Sequence, residues 1–403
     1  MRILVTGSTG YIGSRLVPIL LADGHDVLAA MRDDGKADSF SWGDRVTPVH
    51  FDITDTDSID AALRTADAVV YLVHSMDDGD FVRKDREAAE AVARAAEKHG
   101  VDRIVYLSGH VPDDHTELSD HIRSRLQVEK VFTESSVTST VLRAAIVLGS
   151  GSTSFELVRR MVERLPATPV PSWMVNKVQP IATADVLQVI AAALGERPMP
   201  GSFDIGGTEV MTYPELLQRY AAVADLARPQ FRVPFVPTPV VGRAVAAITG
   251  MPRGTVISLV DSLHHDMVAR RGNAVTSDFA DAVGDPIGVD DAIRRALTVT
   301  AHDGTDAEGT TDPQAAADRP VLGGRVRVHR GRSGPARRVG TRGGTRAKAL
   351  TRAIAVPGPI RGYPARHDRR RHRILSPPPR PRPRLPGTGP RCATTDSASR
   401  SYP

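Results

Sequence analysis

The chain has 403 residues, of which 41% are hydrophobic and 25% charged, and its formal net charge is +5 at pH 7. This length allows two to three domains, and the apolar fraction is large enough for a sizeable core. The single cysteine, Cys392, excludes an intrachain disulfide, the N-terminus lacks the apolar core of a signal peptide, and no apolar run approaches the roughly 18 residues of a membrane span, so we expect a cytoplasmic protein.

The first half of the sequence alternates short apolar runs with segments of helical periodicity. The apolar runs predict strands at residues 2–6, 26–31, 46–51, 68–73, 103–108 and 139–144. The segments between them predict helices at residues 12–22, 58–64, 81–99 and 118–134. Strands that alternate with helices are typical of a parallel sheet with helices on both faces. We therefore predict an α/β fold built on a doubly wound parallel sheet.

A glycine-rich loop follows the first predicted strand. It places Gly7, Gly10 and Gly13 in a regular array directly before a helix. Glycine at these points permits a tight turn, close approach of the backbone to a pyrophosphate, and close packing of helix on strand, while the helix N-terminus supplies amide donors. The array indicates a Rossmann fold that binds a dinucleotide. The alternative is a glycine-rich turn without a ligand.

Arg32 indicates which dinucleotide is bound. It follows the second predicted strand, where an acid would accept a hydrogen bond from the ribose 2′-hydroxyl and an arginine would pair with a 2′-phosphate. The sequence therefore favours NADP. Asp33 and Asp34 follow at once, so NAD remains the alternative, as does a solvated Arg32 with no ligand.

The ends of the third and fourth strands supply the remaining cofactor candidates. Asp52 and Ile53 lie where a pair of this kind usually contacts adenine; the alternative is a turn cap. His74 is expected beneath the cofactor, facing the nicotinamide, unless it is a structural histidine. The complete set of candidates for cofactor binding is Gly7, Thr9, Gly10, Tyr11, Ile12, Gly13, Arg32, Asp52, Ile53, Val73 and His74.

The alternation loosens after Gly149. A helix is predicted at residues 183–196 with Thr183 or Asp185 near its N-cap, and further elements are a strand at 201–207 and helices at 212–224 and 289–297. We expect residues 1–150 to form an NAD(P)-binding Rossmann core, to which residues 177–210 return. A smaller substrate lobe is expected from residues 151–176 and 211–300.

Several segments resemble a known family in their order and spacing: TGSTGYIGSRL, YLVHSM, IVYLSG, HIRSRLQVEK, LRAAIVLGSGSTSF, and QPI before ADV. Over about residues 1–300 the chain is similar to the atypical extended short-chain dehydrogenase/reductases. The nearest groups are the NmrA-like NAD(P)-binding proteins and relatives of the respiratory complex I accessory subunit. The resemblance implies a bound NAD(P) and a small-molecule substrate.

The resemblance also indicates three catalytic candidates. Active members of the family use Ser, Tyr and Lys, and these positions are held here by Ser108, His121 and Arg125. Histidine can exchange a proton near neutral pH, whereas arginine stays charged and can bind only a ribose hydroxyl or a phosphate. Arg125 is expected to lower the pKa of His121. The alternative is a polar pair on an ordinary helix.

Residues 301–403 differ in composition from the rest. Residues 319–403 contain 21 Arg and one Lys against two acidic residues, a formal charge of +20 that leaves −15 for residues 1–318. We predict a disordered linker and an Arg- and Pro-rich tail. The tail differs from the second folded domain of bacterial relatives, so we consider a frameshift near residues 311–325. The rival is a basic tail that binds nucleic acid or anionic membrane, although two tyrosines offer little base stacking.

Three functions are considered in order of preference, and the third, after the two that follow, is a nucleic-acid-binding protein that acts through its tail. The first is an NAD(P)-dependent oxidoreductase or epimerase-like protein that acts on a small carbonyl or hydroxyl compound with altered proton-transfer residues. The second is a non-catalytic NAD(P)H-binding redox sensor or a module associated with a respiratory complex. Arg143 and Gln179 are expected to line the substrate cleft or to clamp the second lobe, and no metal site is predicted. Nucleic acid is a candidate partner only through the tail.

Overall fold

The computed structural model describes residues 1–74, 80–112, 118–196, 198–234, 236–270 and 284–297. All of them fall within one compact unit, Met1–Arg330. The predictions for residues 301–403, including disorder, a frameshift and binding of nucleic acid, lie outside the described residues. In the described ranges no helix combines the length and the apolar character that crossing a bilayer requires.

A seven-stranded parallel sheet organises the first part of the chain. Its strands are β1 (Arg2–Thr6), β2 (Asp26–Met31), β3 (Thr47–His50), β4 (Ala68–Tyr71), β5 (Arg103–Gly109), β6 (Thr138–Ala144) and β11 (Gly201–Ile205). They lie in the order β11-β6-β5-β4-β1-β2-β3, and all six pairings are parallel. The order reverses between β1 and β4, which is the switch point where open α/β sheets bind ligands.

Helices cover both faces of this sheet. They are α1 (Tyr11–Ala22), α2 (Thr56–Leu63), α3 (Phe81–His99), α4 (Asp120–Glu134) and α6 (Thr183–Ala193). Side chains alternate along β4, so Val70 packs with the α1 and α6 layer while Val69 and Tyr71 pack with α2, α3 and α4. Both faces are therefore apolar, which is why β4 reads as a continuous apolar run. The predicted α/β class with a doubly wound parallel sheet is confirmed.

Among the described residues, the later part of the chain has six further short strands and five further helices. The strands are β7 (Ile146–Leu148), β8 (Thr168–Pro171), β9 (Lys177–Val178), β10 (Pro180–Ala182), β12 (Met211–Thr212) and β13 (Gln230–Val233). They form three two-stranded sheets, β7 with β10, β9 with β12, and β8 with β13. The helices are α5 (Thr153–Arg164), α7 (Tyr213–Val223), α8 (Thr238–Thr249), α9 (Arg253–Ser262) and α10 (Val289–Leu297). Two apolar clusters hold these elements together.

Most predicted elements lie within two residues of their observed bounds, and α3 ends at Gly100 with φ of +69° as a C-cap glycine should. Thr183 and Asp185 lie near the N-cap of α6, as predicted, but neither side chain caps the helix. Ala182 occupies that position without a capping side chain. The Thr183 hydroxyl donates instead to the Leu148 carbonyl at 3.0 Å, and the Asp185 carboxylate accepts from the Ile287 amide at 2.9 Å.

Pro18 lies inside α1, although proline cannot donate the helical hydrogen bond to the carbonyl four residues earlier. That carbonyl belongs to Ser14. It accepts a hydrogen bond from Trp42 Nε1 at 3.0 Å, and the Trp42 side chain is fully buried. The indole therefore takes the place of the missing backbone donor, and the helix tolerates the proline.

Candidate functional site

The glycine loop between β1 and α1 is built for close contact. Gly7 has φ of +68°, in the left-handed region that favours glycine, and its carbonyl accepts from the Gly10 amide at 2.8 Å. A Cβ on Gly13 would lie 2.3 Å from Gly7 O and 2.8 Å from Ser8 Cα. No side chain caps the N-terminus of α1, so its amides face the loop and can bind an anion.

A cleft of about 1010 Å³ lies over this loop and over the carboxyl ends of the central strands. Parallel strands bring their carboxyl ends to one edge, so residues far apart in sequence meet here. Every predicted site residue lines the cleft: Gly7, Thr9, Gly10, Tyr11, Ile12, Gly13, Arg32, Asp52, Ile53, Val73, His74, Ser108, His121 and Arg125. Their individual roles stay predictions.

Arg32 and Asp33 differ in whether the side chain already has a hydrogen-bond partner in the protein. Arg32 is exposed on the cleft wall and makes neither a hydrogen bond nor an ion pair within the ranges that the structure describes. The Asp33 carboxylate accepts from the Gly35 amide at 3.2 Å, so it caps its own turn. The guanidinium is thus available to a ligand, while the neighbouring carboxylate is occupied.

Asp52 combines the two alternatives that its sequence position allows. Its Oδ1 accepts from the Thr54 amide at 2.8 Å and from the Thr54 hydroxyl at 2.7 Å, as in a turn cap, and the residue also lines the cleft. These two hydrogen bonds lower the pKa of Asp52, and the charge of Arg32 adds to the effect. The carboxylate is therefore ionised above the acidic range.

Tyr11 lines the cleft, but its hydroxyl forms a hydrogen bond within the protein. The hydroxyl lies 2.8 Å from Thr183 Oγ1, and Arg15 stacks over the ring at 4.0 Å from its centroid. A Cβ on Gly149 would lie 2.1 Å from the Tyr11 hydroxyl. Tyr11 therefore joins the glycine loop to the β7–α5 turn and the start of α6.

Ser108, His121 and Arg125 meet where β5 ends against α4. The Ser108 side chain is 3% exposed, and its hydroxyl has no hydrogen-bond partner in the described part of the chain. Arg125 donates to the Leu107 carbonyl at 3.4 Å, and its Cγ lies 3.8 Å from where a Cβ on Gly109 would be. A buried hydroxyl without a partner is costly, so Ser108 is placed to donate to a ligand.

The electrostatics of this corner keep both histidines neutral. Burial, and then the charge of Arg125, lower the pKa of His121 to about 3. His74 reaches solvent in the cleft, and Arg125 is the first cause of its strongly lowered pKa, ahead of burial and His121. At pH 7 the protonated fraction of His121 is on the order of one in ten thousand. The predicted direction of the shift is confirmed, although burial contributes more than Arg125.

Arg143 lies beneath the site. It pairs with the buried carboxylate of Glu129 and lies 3.5 Å from Asp204, which Arg270 also binds through Nε at 2.6 Å. The Ser202 hydroxyl donates to Glu129 at 2.6 Å. Arg143 does not line the cleft; of the two roles considered for it, clamping is the one observed. This four-charge cluster joins α4, β6, β11 and the segment at residues 266–270.

The Gln179 side chain also links segments that are distant in sequence. Its side chain donates to the Gly207 carbonyl at 2.6 Å and accepts from the Ala269 amide at 2.9 Å, so it holds three separate segments together.

Several residues that the sequence analysis did not name also line the cleft. They are Thr54, Lys84, Leu107, Ser152, Ser154 and Leu259, among others. Ser152 and Ser154 follow β7 in the stretch GSGSTSF, and the serine-rich turn at a strand end was the available signal. Leu259 comes from α9, far along the chain, and no local pattern marks it. Among the described residues no cluster of His, Cys, Asp and Glu suits a metal ion.

Known proteins resemble this chain in sequence. Residues 7–197 match a family described as NAD(P)H-binding. The chain is 27% identical over 266 residues to the mitochondrial NADH dehydrogenase [ubiquinone] 1 alpha subcomplex subunit 9 of Arabidopsis thaliana, and the match covers 64% of each chain. It is 28% identical over 232 residues to an uncharacterized protein of Mycobacterium tuberculosis, covering 57% of this chain and 24% of that protein. The chain thus spans less than two thirds of either relative.

Solved structures share the fold. Triphenylmethane reductase of Citrobacter sp. aligns with a TM-score of 0.59 at 17% identity, over 74% of this chain and all of that one. NADPH-dependent quinone oxidoreductase of Escherichia coli, complexed with NADPH, aligns with a TM-score of 0.58 at 18% identity, over 73% of this chain and all of that one. The family match over residues 7–197, the strand order and the glycine loop together support a place for the chain among the NAD(P)-binding, atypical extended short-chain dehydrogenase/reductases.

Proposed function

We propose that the protein is an NADPH-dependent oxidoreductase whose hydride acceptor is an uncharged quinone or a similarly conjugated carbonyl compound. The amides at the start of α1 would bind the pyrophosphate, Arg32 the 2′-phosphate, and Asp52 and Ile53 the adenosine. The Ser108 hydroxyl and Arg125 would lie on the nicotinamide side. When bound, the reduced nicotinamide supplies a hydride.

One observation carries this choice of acceptor: His121 is partly buried beside the permanently charged Arg125, and burial and this charge lower its pKa to about 3. On our proposal these residues hold the positions of the family's Tyr and Lys. Neither is a proton donor at neutral pH, because a neutral imidazole is a very weak acid and a guanidinium does not ionise. The acceptor must therefore hold negative charge until water protonates it.

Quinones meet this requirement better than simple ketones do. Hydride addition to a quinone leaves a phenolate-like anion, whose conjugate acid has a pKa near 10 as in tyrosine, whereas a ketone leaves a far more basic alkoxide. Arg125 beside the acceptor would stabilise the developing anion. The same charge would repel a cationic acceptor. An epimerase reaction is less suited, because it needs an effective base where His121 lies.

The test of this function is NADPH oxidation with 1,4-benzoquinone and with cyclohexanone, after subtraction of the uncatalysed reaction. We expect turnover of the quinone with a rate that is flat between pH 5 and 8, because His121 stays neutral above its pKa of about 3. Arg125→Leu should lower kcat by about 100-fold. Arg123→Leu, on an exposed side chain that pairs with Asp120, should leave it unchanged. Faster turnover of cyclohexanone, or a histidine inflection near pH 6.5, would contradict the proposal.

Arg32 gives a separate prediction for the choice of cofactor. Arg32→Ala should raise the Kd of NADPH by about 10- to 100-fold, the value of one charge-assisted hydrogen bond, and leave the Kd of NADH unchanged. Fluorescence titration with both cofactors measures this. Lys36→Ala is the matched control, because Lys36 is exposed nearby and does not line the cleft. Equal affinity of the parent for NADPH and NADH would refute a role for Arg32 in 2′-phosphate binding.

A second candidate is a non-catalytic NAD(P)H-binding module of a larger assembly or a redox sensor. The similarity to the Arabidopsis NADH dehydrogenase subunit supports it. It predicts tight NADPH binding without turnover across a panel of quinones, enones and ketones, and that result would displace the oxidoreductase.

A further inference from the structure

A small pocket opens from the wall of the cleft at α4. Gly109, His121 and Arg125 line both the pocket and the cleft, so the two spaces adjoin. The pocket holds about 60 Å³, room for roughly four waters or for one substituent of a ring that lies in the adjoining cleft. Its remaining lining is mostly apolar and includes Leu157 and Met267.

Tyr213 is the exceptional group in this pocket. The residue lines the pocket and is 4% exposed, yet its hydroxyl has no hydrogen-bond partner in the part of the chain that the structure describes. Buried tyrosine hydroxyls normally find a partner, as Tyr220 on the same helix does by donating to Glu163 at 2.8 Å. Because an unpaired buried hydroxyl is unfavourable, the Tyr213 hydroxyl is suited to donate a hydrogen bond to a ligand.

The backbone holds Tyr213 firmly in place. It is the first residue of α7, and Thr212 before it forms a capping box with Glu215: the Thr212 amide donates to the Glu215 carboxylate at 2.6 Å, and the Glu215 amide donates back to the Thr212 hydroxyl at 3.4 Å. Met211 and Thr212 also pair with β9. A fixed donor at the wall of an apolar pocket is suited to orient a ligand.

We infer that an uncharged ring of the acceptor lies in the cleft with one oxygen directed into this pocket, and that the Tyr213 hydroxyl donates a hydrogen bond to that oxygen. The charge of Arg125, which lines both spaces, disfavours a cationic acceptor. The inference rests on the proposed function and deepens it by assigning a position to the acceptor's oxygen. Tyr213 lies far from His121 and Arg125 in sequence, because it belongs to α7, which follows the last strand of the central sheet.

The test compares two ring probes of similar size, cyclohex-2-enone with an oxygen and cyclohexene without one. Binding to the full-length protein saturated with NADP⁺ is measured by ligand-observed NMR. The parent should bind the enone about 3- to 10-fold more tightly than the hydrocarbon, the value of one hydrogen bond. Tyr213→Phe should reduce that preference to less than about 2-fold. Tyr220→Phe, which removes a buried hydroxyl that faces Glu163, should keep it.

Stability supplies an independent readout. Tyr213→Phe removes no hydrogen bond and should leave the Tm unchanged or raise it, whereas Tyr220→Phe should lower it. An undiminished preference for the enone in Tyr213→Phe overturns the inference. So does NADPH-dependent quinone reduction by a protein that binds neither probe, a result that leaves the proposed function standing. Loss of the preference in Tyr213→Phe without any turnover by the parent supports the pocket and removes the proposed function instead.

Discussion

Gly13→Ala is expected to abolish binding of the dinucleotide. The added methyl would lie 2.3 Å from Gly7 O and 2.8 Å from Ser8 Cα, and these neighbours are backbone atoms that cannot move without reshaping the loop. Alanine gains about 1 kcal/mol of helix propensity over glycine, which is too little to offset the displacement. We expect the Kd of NADPH to rise by at least about 100-fold, or 2.7 kcal/mol, in a fluorescence titration.

Gly288→Ala is the matched control. A Cβ there would meet only Glu209 Oε1 at 3.9 Å, an ordinary contact far from the cleft lining, so cofactor affinity should equal that of the parent. Retained NADPH affinity in Gly13→Ala would show that the loop does not carry the pyrophosphate, and the assignment of the cleft would fail with it.

Asp204→Ala is expected to cause the largest loss of stability. Asp204 is fully buried and accepts from the Arg270 amide at 3.0 Å, from its Nε at 2.6 Å and from its Nη2 at 2.8 Å, while Arg143 lies 3.5 Å away. Removing this carboxylate leaves Glu129 as the only acid in a cluster with two guanidinium groups. Breaking a buried ion pair from one side costs about 3–5 kcal/mol, measured as the free energy of unfolding in urea.

An exposed ion pair on α4, the helix that carries Glu129 of the cluster, provides the comparison. Asp120 and Arg123 lie 2.8 Å apart with more than half of each side chain exposed, and such pairs contribute at most about 1 kcal/mol. Asp120→Ala should therefore change the free energy of unfolding far less. Equal effects of the two variants would mean that the four-charge cluster does not hold α4 against β6 and β11.

Local patterns in the sequence predict most strands of the central sheet and many of the residues that line the cleft. The apolar runs of β1, β4 and β5 are local signals, and a parallel sheet brings the ends of such strands together by its geometry alone. Gly100 at the end of α3 is likewise a local signal, because a glycine after an amphipathic segment predicts the C-cap of a helix. For this reason the sequence alone predicts that residues as distant as Arg32 and Arg125 lie in one site, and both line the cleft.

Contacts across long stretches of sequence were beyond the reach of local patterns. Asp204 and Arg270 are 66 residues apart, and nothing near either residue identifies the other. Two-residue strands such as β9 are too short to show a period. The amphipathic helix α5 was missed although Ser152 caps it by accepting from the Phe155 amide at 3.2 Å; this signal was readable. Tyr213 of α7 lies in the pocket with residues of α4 only because of the tertiary fold, and no local pattern predicts this.

Pro18 makes the helix dependent on Trp42. The helix tolerates the proline because an indole from outside supplies the donor that the Ser14 carbonyl lacks. Replacing the indole alone would leave that carbonyl without its partner, whereas replacing the proline alone would add an amide that the second lone pair of the carbonyl can accept. Trp42 is therefore required as long as residue 18 is proline. The first helix of the dinucleotide fold is therefore tied to the loop after Arg32, and changes that adapt this loop to another cofactor must keep residue 42 in place.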